Sequence, residues 1–383
     1  MERVQFQQEQ MLAELKDLVE RNIFTKKETK QIMKNRTAYE TTLVRRVAKK
    51  SDYLRYAAYE MGLEQLRRKR VERQGSGHGP PTISDYALVR RQFQIFERAL
   101  KRFNSDVGLW LQYIQLAKKE GARALVGRIT ARALQVHPDK PGLYIIAASH
   151  ELDYNSHSAA RALLQRGIRL NRDSVEIWRE YVRMELGFIE SLQRRWEVLG
   201  IGIEGKDQGT VDPSEDIMGG DPEIGEGVLE TVGPQATLEG DTGTVARREI
   251  MKGAIVKSVI TSAAEALPTV ELFETLYKAV EEYPSGAEVR EGILAHLYGE
   301  VRKSAVGKEA AAIRLVAMRS LRGGPKGAEL VEGIKHANEE ILGHITDGAA
   351  VVAMYRDFVE DWCARASVDG AVVSGLCLDC YGC

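Results

Sequence analysis

Three aromatic residues, Trp110, Tyr144 and Trp178, stand 34 residues apart in this chain. Three positions after each come Tyr113, Ala147 and Tyr181; seven after come Ala117, Glu151 and Glu185. A second register with the same period runs through Arg98, Arg132 and Arg166, followed by the small or apolar pairs Ala99-Leu100, Ala133-Leu134 and Gly167-Ile168. An earlier copy of the aromatic pattern is Tyr53, Tyr56 and Glu60. On a helix turning about 100° per residue, positions i, i+3 and i+7 share one face. The aromatic residues and the carboxylate of each copy therefore project together. Two helices per 34 residues cannot bury their apolar faces alone, so successive copies must stack. A carboxylate on a buried face needs a cationic partner, because an unpaired buried charge costs several kcal/mol, about 3–5 when one partner is removed. The periodic arginines Arg98, Arg132 and Arg166 are the expected partners.

The remaining chain fits this helical reading. Val4, Met11, Leu15, Leu18 and Val19 form an apolar stripe over 4–21, and Asn22-Ile23-Phe24 ends it. Thr25 and Glu28 make a capping-box pattern opening a second helix through Ile32 and Met33. A third helix is expected from about Asp52 to Arg73, then a Gly/Pro break at 75–81, then helical periodicity from Ser84 to about Leu199. Residues 201–244 differ in kind. They are rich in glycine, and residues 200–245 hold one Lys against 11 Asp/Glu, a charge of −10. Such a segment buries too little surface to offset ordering and reads as a flexible acidic insert. Helices return at about 245–266, 270–283, 287–303, 309–321, 328–345 and 349–366. The organisation expected is a basic helical region over 1–75, repeats over 84–200, the insert over 201–244, degenerate repeats over 245–366 and a Cys-rich tail over 367–383. No run alternates apolar and polar residues long enough for a sheet, so the fold class is all-α. No apolar stretch reaches the length of a membrane span, and no signal-peptide pattern opens the chain.

The repeat form Trp178-Arg179-Glu180-Tyr181-Val182-Arg183-Met184-Glu185 resembles the HAT (half-a-TPR) repeat rather than the tetratricopeptide signature. That resemblance implies antiparallel helix pairs in a right-handed superhelical solenoid. Further segments carry a closer likeness. Val4-Gln5-Phe6 with Glu9-Gln10-Met11, Ile23-Phe24-Thr25-Lys26-Lys27-Glu28, Arg36-Thr37-Ala38-Tyr39-Glu40, Lys50-Ser51-Asp52-Tyr53-Leu54-Arg55-Tyr56 and Glu64-Gln65-Leu66-Arg67-Arg68-Lys69-Arg70 are similar to the U3 small nucleolar RNA-associated protein 6 family. The likeness is strong over about 1–200 and mostly architectural over 269–366; it does not extend to the insert or the tail. It implies a non-enzymatic scaffold in the nucleolus, within a subcomplex of the small-subunit processome. WD40-propeller proteins, the pre-ribosomal particle and U3 small nucleolar RNA are the implied partners, and 18S rRNA maturation the implied role. The replacement of Glu by Ala117 and of the aromatic by Ala147 makes two copies degenerate.

Other signals are weaker. Residues 1–75 hold 18 Lys/Arg against 11 Asp/Glu, a charge of +7. Arg45, Arg46, Lys49, Lys50, Arg67, Arg68, Lys69, Arg70 and Arg73 are candidate contacts to a partner protein or RNA, expected to point outward beside the first aromatic motif. Their alternatives are an import signal or solvated helix ends. No aromatic residues interleave them as base-stacking would require. The four cysteines, Cys363, Cys377, Cys380 and Cys383, fit a reducing compartment better than a disulfide framework. Cys377, Cys380 and Cys383 have metal-like spacing but lack a fourth ligand, so a frayed tail is the simpler reading. No phosphate loop, His pair, catalytic triad or cofactor motif occurs, so no enzyme, cofactor or metal is expected. The alternatives are a HAT scaffold of the splicing or mRNA 3′-end machinery, or an RNA-binding helical solenoid.

Overall fold

A computed structural model describes residues 2–75, 83–199, 249–284, 286–323, 327–345 and 348–366. The acidic insert and the Cys-rich tail lie outside the described residues. Every described regular element is a helix, with no strand among them. The chain divides into two compact units, residues 1–150 and 151–383.

In the first unit, α1 (Glu2–Glu20) packs on α2 (Lys26–Leu43) and on α4 (Ile83–Arg102), and α3 (Lys50–Gln74) packs against both α2 and α4. Next, α4 meets α5 (Val107–Lys119), and α5 meets α6 (Arg123–Val136); α7 (Pro141–Leu152) follows. The turn from α1 to α2 forms as its sequence dictates. Asn22 takes φ 56°, the left-handed region that Asn tolerates better than most residues. Thr25 then accepts a hydrogen bond from the Glu28 backbone N–H while the Glu28 carboxylate accepts from the Thr25 N–H, completing the capping box. Ile23 and Phe24 close this corner over Met11, Leu15, Leu18 and Ile32. The second helix runs ten residues further than expected from its apolar residues, through Arg36 and Tyr39, because those two side chains are also turned inward.

In the second unit, α8 (His157–Leu170) pairs with α9 (Val175–Leu199), which packs on α10 (Ala254–Ala266) and α11 (Val270–Glu282). Next come α12 (Ala287–Lys303), α13 (Ala310–Ala317), α14 (Ala328–Leu342) and α15 (Ala349–Ala366). The helix expected over 309–321 is split: 3₁₀ turns flank α13 at Ala305–Lys308 and Met318–Leu321. Gly333 explains the second turn, because a Cβ there would stand 2.8 Å from the Ser320 carbonyl. The close approach lets the Ser320 hydroxyl donate to the Gly333 carbonyl. Ile313, Ala317, Ile334, Ile341, Val351, Phe358 and Trp362 make the core of these last helices.

The 34-residue period is also written in the backbone. Gly121 and Asn155 are both left-handed, at φ 68° and 58°. The next residues, Ala122 and Ser156, cap α6 and α8 with φ, ψ of −82°, 67° and −85°, 68°. His137 and Asn171 end those helices at −128°, 67° and −132°, 63°. Ala122 N–H donates to Ala117 O, and Ser156 N–H to Glu151 O. These turn conformations match although none of the paired residues is identical in type.

Trp178 is buried, and its indole N–H donates to the Arg172 carbonyl in the turn before α9; Trp110 does the same to Asn104 O six residues upstream. Each Trp thus fills a helix interface and ties down the turn that enters its own helix. Trp178→Ala is expected to cost about 3–5 kcal/mol, read as a fall in the urea midpoint of the chain. An unchanged midpoint would mean that this indole is not an anchor.

Candidate interaction site over a buried ion network

The aromatic registers face inward. Tyr53, Tyr56, Trp110, Tyr113, Tyr144, Trp178 and Tyr181 are all buried, as are Ala117 and Ala147 where the pattern is degenerate. Glu60 and Glu185 are buried, and Glu151 is half-buried. The carboxylate partners are not the arginines of the 34-residue register. Glu185 is held by Arg161 from α8, through a two-pronged pair at 2.7 and 2.7 Å. Glu60 is held in the same way by Arg36 from α2, at 2.8 and 2.8 Å. In both copies the arginine lies 24 residues before the glutamate. Arg166 is exposed, on α8 five residues past Arg161 and so about 140° further round the helix. Arg98 instead grips Glu40 at 2.9 and 2.9 Å. Arg132 binds Glu97 and stacks over the Trp110 ring at 5.5 Å. The 24-residue Arg–Glu offset was the missed signal, and its two instances are visible in the sequence. In the degenerate copies the same offset pairs Phe93 with Ala117 and Gly127 with Glu151.

Arg36 is the centre of the first unit. Its side chain has no solvent exposure, and besides Glu60 it donates to Glu14 of α1 at 2.5 Å. Arg91 of α4 reaches the same Glu14 oxygen at 2.7 Å. Two arginines and two glutamates from four helices thus cancel in charge. Burial alone would lower the Arg36 pKa, but Glu60 and Glu14 outweigh it and hold the guanidinium above its ordinary value. Tyr56 packs beside this group, stacked on Tyr39 with centroids 5.2 Å apart. Burial, reinforced by Glu60 and Glu40, pushes its phenol pKa up. A second layer joins Glu64, Arg67, Asp85 and Arg21, with Arg67 donating to Glu64 at 2.8 Å and to Asp85 at 2.9 Å.

This second layer corrects, for Arg67 above all, the expectation that the cations flanking the first aromatic motif point outward. Arg67 is buried. Arg68 pairs with Glu64 and Glu120, Arg70 with Glu28 and the Ile23 carbonyl, and Lys50 with Asp106. The physical reason is that acidic side chains on neighbouring elements claim these cations: Glu64 and Asp85 in the α3–α4 interface bury Arg67, Glu28 and Asp106 hold Arg70 and Lys50, and Arg68 pairs with Glu64 and Glu120 while staying exposed. Arg45, Arg46, Lys49, Lys69 and Arg73 are exposed and form no ion pair with a described residue. Arg102 at the end of α4 joins the first three by donating to the Arg46 carbonyl at 2.7 Å. A basic knuckle results between α2 and α3, and Val44 and Val47 are exposed within it.

A groove of about 660 Å³ opens elsewhere, between α1 and α2, floored by Leu12, Leu15, Val19 and Met33. Among the described residues, no group of His, Cys, Asp and Glu could hold a metal ion, and no helix is long and apolar enough to cross a membrane.

Residues 8–91 match the family model for U3 small nucleolar RNA-associated protein 6. A Schizosaccharomyces pombe protein named U3 small nucleolar RNA-associated protein 6 is 43% identical over 220 residues, 57% of this chain and 45% of that protein. The mouse and human homologues are 33% and 31% identical over 214 and 217 residues, each match spanning 56% of this chain and 35% of the relative. The chain thus spans less than half the length of the curated relatives it matches. The family resemblance read from the sequence is borne out. The matched segment, 8–91, contains every member of the Arg36 network.

Two outcomes follow from these ion pairs. Glu60→Ala strands Arg36 and is expected to cost about 3–5 kcal/mol; combining Arg36→Met with Glu60→Leu removes both charges and recovers much of that loss. Urea unfolding of the three chains checks both. The hydrogen bond from Arg70 leads in holding the Glu28 carboxyl down at about 2, helped by the Thr25 N–H. A depressed carboxyl stabilises above its unfolded pKa, so the Glu28–Arg70 link is complete above about pH 4.5 and is lost as pH falls towards 2. The carboxyl carbon-13 shift of Glu28 should titrate near 2, and Arg70→Ala should move that midpoint up.

Proposed function

From the relationship between this chain and the U3 small nucleolar RNA-associated protein 6 family, we propose that it is a non-catalytic scaffold in the processing of pre-ribosomal RNA. The observation that carries this reading is the 43% identity over 220 residues to the fission-yeast protein of that name. The helix pairs are of the HAT type and stack as a right-handed superhelical solenoid. In support, the 34-residue period recurs in side chains and in turn dihedrals alike. The chain works in the nucleolus, within the small-subunit processome, bound to WD40-propeller proteins and near U3 small nucleolar RNA. Its repeats present protein-binding surface, while the knuckle of Arg45, Arg46, Lys49 and Arg102 meets phosphate or an acidic protein face. Those cations are exposed and free of ion pairs with described residues, which suits a salt-screened contact acting within about 8–10 Å.

Depletion of the protein should block early cleavage of the ribosomal precursor and lower 18S rRNA while sparing large-subunit rRNA, read by northern blot. Normal 18S with defective splicing or 3′-end formation would favour a scaffold of those machineries. Arg45→Glu with Arg46→Glu and Lys49→Glu should leave helicity intact and weaken co-sedimentation with pre-ribosomal particles. Retained co-sedimentation would reduce the knuckle to a solvated turn.

A further inference from the structure

The stripe Leu12, Leu15, Lys16, Val19 and Glu20 runs along α1 at helical spacing, and Lys26, Thr29, Lys30 and Met33 run along the facing side of α2. Between them lies the apolar groove. Its floor is partly closed by the core, since Leu15 is buried, but Leu12 is 48% exposed and Val19 and Met33 are half-buried. An exposed leucine beside two half-covered apolar side chains is a patch, rather than a scattered surface residue. The rim is charged on one side of the balance. Lys16, Lys26 and Lys30 border the groove against one carboxylate, Glu20. None of the three lysines has an ion pair with a described residue, whereas Arg21, Arg36, Arg67, Arg68, Arg70 and Arg91 of the same unit are each held by a carboxylate.

We propose that this groove docks an acidic amphipathic helix of a partner protein, with leucine-like side chains on the Leu12–Val19–Met33 floor and Asp or Glu towards Lys16, Lys26 and Lys30. The apolar stripe from Leu12 to Val19 covers two turns, about 10 Å, room for anchors at i, i+3 or i+4, and i+7 of an incoming helix. Both walls of the groove are helices whose backbone groups are bonded internally, so an extended peptide would find no edge to pair with. A nucleic acid has no apolar anchors for the floor. The cations on the rim give the contact its polarity and its rate, and the apolar floor gives it affinity. This surface is distinct from the basic knuckle and from the repeat faces, and its test does not depend on the proposed role in pre-ribosomal RNA processing.

The test uses the whole chain and a fluorescein-labelled helical peptide with leucines at i, i+3 and i+7 and glutamates on its flanks. Anisotropy should show saturable binding. Replacing the peptide's glutamates by lysines should weaken it at least tenfold, and raised salt should narrow the difference. Leu12→Glu should abolish binding, and Lys26→Glu with Lys30→Glu should weaken it at least tenfold towards the acidic peptide. All three positions are exposed, so circular dichroism should be unchanged, and a loss of helicity in one variant leaves the other to decide. The proposal is overturned by no saturable binding, by equal affinity for acidic and basic peptides, or by variants that bind as the parent does. A concentration-dependent dimer that Leu12→Glu dissolves would assign the groove to a second copy of the chain and would equally overturn it.

Discussion

One guanidinium organises the first unit. Arg36 sits with no exposure between Glu60 and Glu14, and Arg91 completes the neutralisation. The four side chains come from α3, α1, α4 and α2, so a single electrostatic cluster specifies how four helices meet. Apolar packing alone would tolerate rotation or sliding of α2 along α3, because leucines and tyrosines fit many registers. A two-pronged arginine–glutamate pair accepts only one. Registry is a better account of such a buried pair than stability, since hydrophobic residues of the same volume often stabilise as well or better.

The same device reappears in the second unit with fewer parts. Arg161 and Glu185 reproduce the geometry of Arg36 and Glu60, but Arg161 is half-exposed, with its guanidinium over the Phe188 ring at 5.0 Å. Between these copies the device is absent, and Phe93 and Ala117 take its positions. Phe93 lies at 6.1 Å from the Tyr113 ring, so an aromatic contact occupies the place of the ion pair. Copies of one repeat thus share backbone turns and aromatic anchors while exchanging the chemistry that locks their register.

Charge also reads differently in three dimensions. The excess of +7 over residues 1–75 looks like a surface feature in one dimension, yet Arg36 and Arg67 are buried and Lys50, Arg68 and Arg70 are spent on carboxylates. Their partners include Asp85, Asp106 and Glu120, which lie beyond residue 75. Counting within a segment therefore overstates what a partner can reach. What remains outside is smaller and includes the α2–α3 knuckle, the lysines along the α1–α2 groove, and Arg55, Lys69 and Arg73 on α3.

By itself the sequence determined the all-helical class, the 34-residue period, the buried aromatic anchors and the Thr25–Glu28 cap, because each rests on local spacing or on burial of a side chain that has nowhere else to go. The groove was only partly legible: the apolar stripe read on α1 includes Leu15 and Val19 but not Leu12, its Met11, Leu15 and Leu18 are buried in the core, and that Leu12 stays exposed depends on where the second helix lies. Only the tertiary structure decided which arginine meets which glutamate. Arg161 and Arg166 differ by five positions and about 140° around one helix, so both belong to plausible periodic patterns. The angle at which α8 faces α9 selects Arg161 and leaves Arg166 in water, and that angle is a property of the packed pair that no spacing along a single helix contains.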